Sequence, residues 1–136
     1  MGNRSEANGY TSLVMGYQVF ANGDYSTAMG QFSEANGSHS TALGYSSKAN
    51  DYSSLVIGYY NLSGNTVTGS ATAANSTNTA FVIGNGASSG SKSDAFKVMF
   101  NGDATVSNDL TVSGDVVVSS DARLKSNIVS LGSTLS

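Results

Sequence analysis

The chain of 136 residues has no cysteine, no proline and no tryptophan, and only 11% of its residues are charged. Without cysteine there is no disulfide to stabilise the fold, so stability must come from packing and, we expect, from association of chains. No apolar run approaches the roughly 20 residues that a membrane-spanning helix needs. We therefore expect no membrane insertion by this segment.

Positive charge is scarce as well. Six lysines and arginines stand against nine acidic residues, which gives a net charge of −3 and a pI of about 4.7. Such a chain cannot neutralise a phosphate backbone, so nucleic acid is not an expected partner. Most of its polarity comes from Ser, Thr, Asn and 16 Gly. Together with Val, Tyr and Phe, these residues favour short strands joined by tight turns.

What the sequence does contain is a repeat of fourteen residues over residues 2–62. One constant register indicates that a single supersecondary unit is stacked on itself, as in a solenoid. Because Gly2 already lies fourteen residues before Gly16, we expect the chain to be part of a longer protein. The repeats begin at Ala7-Asn8-Gly9, Ala21-Asn22-Gly23, Ala35-Asn36-Gly37 and Ala49-Asn50-Asp51, and each contains a glycine at Gly16, Gly30, Gly44 or Gly58.

Each repeat contains a five-residue segment with two different faces, such as Ser26-Thr27-Ala28-Met29-Gly30. Alternate positions hold small residues, which suit the narrow interior of a coil, and the positions between them hold larger side chains. An exposed apolar stripe usually marks an interface, so we expect several chains to cover it, most simply three. The predicted interface residues are Leu13, Met15, Met29, Leu43, Leu55 and Ile57.

Turns and irregular segments complete the predicted roll. The Asn-Gly step at each repeat start is expected to supply the left-handed backbone of a tight corner. Residues 63–78 are degenerate, and Ala80–Gly84 then restores the pattern of Ser54–Gly58, 26 residues on. We interpret residues 63–88 as one irregular coil followed by a closing coil.

The pattern changes after residue 88. Phe96–Phe100, Asn101-Gly102 and Ala104–Val106 predict a hairpin, and Leu110–Val112 and Val116–Val118 predict another around Ser113-Gly114. Residues 89–119 are therefore expected to form a β-hairpin stalk, completed by pairing between chains because isolated hairpins are marginal. Within residues 120–136, the leucine and isoleucine spacing predicts a short helical segment.

The repeats, with their Ser-Thr-Ala-Leu-Gly-Tyr and Ala-Asn-Gly elements, resemble the head repeats of YadA-like trimeric autotransporter adhesins, over residues 2–62 and again over 79–88. This resemblance implies a left-handed parallel β-roll in a homotrimer, displayed at an extracellular surface.

Residues 95–136 resemble a different family. The string Ser-Asp-Ala-Arg-Leu-Lys-Ser-Asn-Ile, from Ser120, is similar to the end of phage tail fibres and tailspikes that carry an endosialidase-type intramolecular chaperone. The resemblance implies a truncated chaperone that directs trimer assembly and cuts itself off at the Ser120–Asp121 bond, with Ser120 as nucleophile. A turn or a helix N-cap at these two residues fits the sequence equally well.

Among possible binding residues, Tyr17, Tyr45 and Tyr59 recur at one position of the repeat. Such rings can stack on sugars or anchor a protein, although covering the corners of the coils is the simpler interpretation. The single histidine, His39, has no second ligand at metal-like spacing, and Asn-Gly-Asp turns hold too few oxygens for calcium. We expect no metal and no cofactor.

The fold predicted is all-β: a β-roll of residues 1–62 in a homotrimer, a β-stalk and a short C-terminal segment. We expect no enzyme activity of this fragment. The predicted function is attachment of a fibre to a glycan or protein on a target cell, on a bacterial surface or a virion. The alternative is a structural spacer, such as a phage fibre shaft, without a ligand.

Overall fold

A computed structural model describes residues 3–119, which form an all-β structure without a helix. It is a parallel β-solenoid of about 4 turns, so the predicted all-β roll is confirmed, while the homotrimer stays a prediction. The strands are β1 (Glu6–Ala7), β2 (Leu13–Tyr17), β3 (Phe20–Ala21), β4 (Thr27–Gln31), β5 (Glu34–Ala35), β6 (Thr41–Tyr45), β7 (Lys48–Ala49), β8 (Leu55–Tyr59), β9 (Thr79–Asn85), β10 (Asp94–Met99) and β11 (Ala104–Val106).

Each regular coil contributes one strand of two residues and one strand of five. The short strands form a parallel sheet in the order β1-β3-β5-β7, and the long strands form a sheet in the order β11-β10-β9-β8-β6-β4-β2. In the second sheet Val14 pairs with Ala28, and Ala28 pairs with Ala42. The register between coils is therefore the fourteen-residue period of the sequence.

The interior of the roll is narrow and holds small side chains. Its apolar core consists of valine and alanine alone: Val14, Val19, Ala21, Ala28, Ala35, Ala42, Ala49, Val56 and Val82. Buried serines complete it, for example Ser33, whose hydroxyl lies 2.9 Å from that of Ser47. One buried methyl contributes only about 0.8 kcal/mol, so the hydrophobic stabilisation available to one coil is small.

The corners of the coils carry residues other than glycine in the left-handed conformation. The prediction that the Asn-Gly steps supply it is wrong, because residues 8–9, 22–23 and 36–37 are not among the positive-φ residues. Hydrogen bonds between coils offset the backbone strain: the Tyr25 N–H donates to the Tyr10 carbonyl (2.7 Å). The corner residues recur every seven positions at Arg4, Thr11, Gln18, Tyr25, Phe32, His39, Ser46, Ser53 and Tyr60.

Glycine at the repeat start is required by close approach instead. A Cβ on Gly9 would lie 2.0 Å from the carbonyl oxygen of Gly23 in the next coil. A Cβ on Gly37 would lie 2.2 Å from the carbonyl oxygen of Asp51. Asp51 takes the glycine position in the last regular coil, where an irregular segment replaces the next coil.

The prediction of one irregular coil followed by a closing coil is wrong in one respect. Strand β9 does restore the pattern, with Val82 paired to Val56 across 26 residues. However, β9 stacks directly on β8, and no strand is assigned between Tyr59 and Thr79. These residues therefore form one enlarged coil, because a single turn of the roll takes up the whole 26-residue spacing.

Asp51 anchors this enlarged coil. Its fully buried carboxylate accepts hydrogen bonds from the Thr68 N–H (2.6 Å), the Thr79 N–H (2.8 Å) and the Thr79 hydroxyl (2.7 Å). These bonds join the two ends of the irregular segment to the last regular coil.

Asn61 ends the sheet of short strands. Its side-chain oxygen accepts from the Lys48 N–H (2.9 Å), and its side-chain nitrogen donates to the Lys48 carbonyl (2.9 Å). The carboxamide thus makes the two bonds that a further strand beyond β7 would make, which protects the edge of this sheet.

Of the two predicted hairpins, the first is confirmed. Strands β10 and β11 pair antiparallel around a turn in which Gly102 has a φ of 96°. The second, which was predicted to be completed by pairing between chains, stays a prediction: in the single chain residues 107–119 contain no strand and their side chains are exposed. The physical reason is that Leu110–Val112 and Val116–Val118 have no sheet within the chain on which to pack.

Candidate functional site

The predicted interface residues lie on the outward face of the sheet of long strands. Parallel register aligns Met15, Met29, Leu43 and Ile57 in one column, and Leu13, Thr27, Thr41 and Leu55 in a second. Leu13 is 50% exposed, Met15 53% and Leu55 37%, and the other three predicted residues are half-buried. The alternation of small and large residues along each strand therefore places these side chains together on the surface, as the sequence predicted.

Two of the three tyrosines predicted to bind a ligand belong to a ladder of rings at one corner of the coils. Phe32 contacts Tyr17 edge-on at a centroid distance of 5.8 Å and Tyr45 at 5.6 Å, and Tyr45 in turn contacts Tyr60 at 5.5 Å. Hydrogen bonding to Tyr60, followed by charge interaction and burial, raises the pKa of Tyr45. Tyr59 is paired in register with Tyr45 and half-exposed, outside this ladder.

Phe32 and Tyr60 were not among the predicted binding residues, because they lie one position further along their repeats than Tyr17 and Tyr45 do. Both have positive φ angles, of 58° and 45°, and this backbone conformation turns their rings into the column. The position of the ladder residue within the repeat therefore alternates between these two positions from one coil to the next. A search for residues at one fixed position of the repeat therefore finds only half of the ladder.

A second ladder follows the opposite corner. His39 stacks on Tyr25, with ring centroids 4.9 Å apart and planes at 25°, and it contacts Tyr52 at 5.2 Å. Tyr10 begins this ladder at 5.5 Å from Tyr25. His39 therefore has aromatic neighbours, in keeping with a surface role.

Two open grooves lie at the end of the roll. The first, of about 340 Å³, is lined by Tyr52, Ser53, Phe100 and residues 74–76. The second, of about 260 Å³, lies beside the ladder of Tyr45 and Tyr60 and is lined by Lys48 and Lys92 among others. The first has no charged residue in its lining, whereas the second carries both signs of charge.

Within residues 3–119, no three His, Cys, Asp or Glu side chains are grouped so that they could hold a metal ion. In the turn Asn22-Gly23-Asp24, the Asp24 carboxylate accepts a hydrogen bond from the Tyr10 N–H at 2.8 Å, so it serves to join two coils. The same described part of the chain has no helix long and apolar enough to cross a membrane. The predicted cleavage residues, Ser120 and Asp121, lie outside it.

Fold and surface together define a repetitive β-solenoid with an apolar outer face and aromatic corners. The YadA head domain repeat, as a family model, matches residues 7–33, 21–47 and 35–61. Residues 7–61 of the roll are therefore similar to YadA head repeats, and this match covers less than half of the chain. YadA head domains are adhesion-related, surface-exposed elements of trimeric autotransporters. No curated protein and no solved structure matched the chain.

Proposed function

We propose that this chain is a segment of a homotrimeric extracellular fibre that attaches to a surface. The observation that carries the proposal is the outward apolar face, on which Leu13 and Met15 are about half exposed in the single chain. Monomeric soluble proteins rarely leave such a continuous apolar patch uncovered. The match to YadA head repeats supports the same assembly, because that family forms trimers in general.

Association of three chains would compensate for the small interior. The core side chains of a coil are valine and alanine, whereas the largest aliphatic side chains of the roll are outside. Burying one Leu or Met completely is worth roughly 1.5–3 kcal/mol, more than burying an alanine methyl. The outer columns can therefore stabilise a trimer more than the interior stabilises one chain.

For attachment, we propose the half-exposed rings of Tyr17, Tyr45 and Tyr59 as contacts for a glycan or a protein on the target surface. Each contact is shallow, and three copies on one fibre would gain from effective concentration. The fibre would be carried by a bacterial surface or by a virion.

Light scattering tests the assembly. The chain should have the mass of a trimer, and the double variant Met29→Glu/Leu43→Glu should have the mass of a monomer, because it buries charge in the proposed interface. Thr72→Glu, in an exposed part of the enlarged coil, is the control and should remain a trimer. A monomer mass for the unaltered chain would refute the proposal.

Cell-binding assays test attachment. The folded trimer should bind target cells, and the triple variant Tyr17→Ala/Tyr45→Ala/Tyr59→Ala should bind at least about tenfold more weakly, since aromatic anchors commonly contribute 2 kcal/mol or more. A folded trimer that binds neither cells nor a glycan array, and whose tyrosine variants behave like the original, would instead be a fibre spacer.

The C-terminal resemblance supports a further part of the proposal, maturation of a longer precursor. The Ser120–Asp121 bond would be cut with help from a chaperone domain, since a serine hydroxyl needs a base and an oxyanion site to attack a carbonyl. The full-length protein should give two bands on a denaturing gel, and Ser120→Ala should give one. An intact full-length protein with Ser120 present would contradict self-cleavage, and the present fragment is expected to be inactive.

A further inference from the structure

The groove beside the first aromatic ladder, that of Tyr45 and Tyr60, collects cationic, aromatic and amide groups. Glu34 and Lys48 reach it from β5 and β7, where they are paired in register. Lys92 reaches it from the segment after β9, which is fixed by a hydrogen bond from the Ser93 N–H to the Tyr60 carbonyl (3.2 Å). Three separate parts of the chain therefore position its charged groups.

Positive charge is concentrated in this groove. The residues between 3 and 119 include four cationic side chains, Arg4, Lys48, Lys92 and Lys97, and two of them line it. Lys48 lies 3.5 Å from the Glu34 carboxylate and is already compensated. Within the described part of the chain, Lys92 has no such acidic partner. A groove with a surplus cation in a chain of net charge −3 is complementary to an anion.

Asn65 adds a hydrogen-bond donor without an acceptor. Its side-chain nitrogen is buried and has no hydrogen-bond partner among the described residues. Leaving a buried donor unsatisfied costs about 1–3 kcal/mol, so such groups in native proteins call for an explanation. Asn65 is among the residues that line the groove, so a turn of its side chain would bring this nitrogen to an oxygen of a ligand there.

Phe32 and Tyr60 supply the apolar wall. Both rings belong to the ladder, line the groove and are half-buried, so their positions are fixed before a ligand arrives. Aromatic faces pack against the C–H face of a pyranose ring, while cations and amides recognise its polar substituents. A simple inorganic anion would use Lys92 but not the rings.

We propose that this groove binds a sugar that carries a carboxylate, with Lys92 pairing with the carboxylate, Asn65 donating to an oxygen and Phe32 and Tyr60 supporting the ring. The proposal rests on the proposed attachment function and adds the ligand class and its site. Both hexuronic acids and nonulosonic acids present this chemistry. The other groove, between Tyr52 and Phe100, has no charge in its lining and serves as an internal comparison.

The test is an NMR titration of the folded protein with two matched pairs, glucuronic acid against glucose and 3′-sialyllactose against lactose. We expect the acidic member of at least one pair to shift the amide signals around Lys92, and the neutral members not to. Binding of one acidic sugar alone identifies which source the groove prefers. Binding should weaken as salt is raised, because part of it is electrostatic.

Two variants and a control locate the site. Lys92→Gln and Asn65→Asp should each weaken binding of the acidic sugar about tenfold or more, since charge-assisted hydrogen bonds are the strong ones. Lys97→Gln removes the same charge from β10, outside the lining of the groove, and should bind like the original. If Asn65→Asp does not fold, the binding measured for Lys92→Gln alone tests whether the acidic sugar binds in this groove.

Equal binding of acidic and neutral sugars, binding of neither, or unchanged binding by Lys92→Gln would overturn the groove proposal. If no acidic sugar binds but target cells do, the groove proposal fails and the attachment function stands. If the groove binds an acidic sugar but the trimer does not bind cells, attachment fails and the groove remains.

Discussion

At the scale of residues, glycine is required for two different reasons in this chain, close approach of the next coil and a positive φ, and the two do not always coincide. Gly23 has an ordinary φ and is required because the next coil approaches closely, whereas Tyr25, two positions later, has a φ of 58°. Gly30 combines both demands, with a φ of 111° and a would-be Cβ 2.0 Å from the carbonyl oxygen of Gly44. Stacking at the spacing of hydrogen-bonded strands, about 4.8 Å, leaves no room for a Cβ at these sites.

Replacing Gly23 by alanine should therefore lower the free energy of unfolding by about 1–3 kcal/mol, the usual cost of forcing extra atoms into a packed region. The new Cβ would lie 2.1 Å from the carbonyl oxygen of Gly37, which is backbone and cannot move aside easily. Chemical denaturation followed by circular dichroism measures the change.

Gly90→Ala is the matched control. No atom lies within 4 Å of a Cβ placed there, and its φ is not in the left-handed region. Its free energy of unfolding should change by no more than about 0.5 kcal/mol, as for most surface substitutions. Equal effects of the two substitutions would show that close approach is not what requires Gly23.

The sequence could predict the strands of the roll but not its corners. Small and large residues alternate along Thr27–Gln31, so the inner and outer faces follow from strand geometry. Tyrosine and phenylalanine have no local preference for positive φ. At Tyr25, Phe32 and Tyr60 this conformation instead accompanies a backbone hydrogen bond to the preceding coil. That information resides in the stacking of coils, so the full aromatic ladders and the groove beside them could not be predicted.

At the scale of elements, the enlarged coil is joined to the roll by side chains that take the place of a regular repeat. Asp51 stands where the earlier repeats have glycine, and Asn61 completes the edge beyond β7. The departure from Asn-Gly to Asn-Asp is the visible sign in the sequence that regular stacking ends. What Asp51 binds could not be predicted, since Thr79 is 28 residues away.

Asp51→Gly should release the enlarged coil and leave the roll intact. The substitution restores the residue of the other repeats but removes the acceptor of three hydrogen bonds, and bonds to a charged group contribute roughly 1.5–3 kcal/mol each. Hydrogen exchange should lose protection at the Thr68 and Thr79 amides, while the circular dichroism of the strands is retained.

Asp109→Gly makes the same chemical change at an exposed site and should leave both amides protected. If Asp51→Gly kept full protection at Thr68 and Thr79, or if it unfolded the whole roll, the anchoring role of Asp51 would be contradicted. If Asp51→Gly unfolded the whole roll, the Asp51 carboxylate would stabilise the roll itself and not only the enlarged coil.

At the scale of the whole molecule, one chain distributes its apolar side chains in an unusual way. Valine and alanine fill the interior, and Met15, Leu43 and Phe81 point to the sheet surface. The second predicted hairpin, around Ser113-Gly114, likewise finds no partner within one chain. Both features are explained if folding is completed by neighbouring copies, as the proposed trimer requires.

If folding and assembly are coupled, thermal stability must depend on protein concentration. Two association steps are needed per trimer, so a tenfold rise in concentration should stabilise it by about 2.8 kcal/mol per mole of trimer and raise the Tm by a few degrees. Leu43→Ala removes a side chain from the outer face and should lower the Tm at every concentration, whereas Thr72→Ala should leave it unchanged. Calorimetry over a hundredfold range of concentration measures both effects. A Tm that is independent of concentration, together with a Leu43→Ala variant as stable as the original, would mean that one chain folds and persists alone with its apolar columns in water.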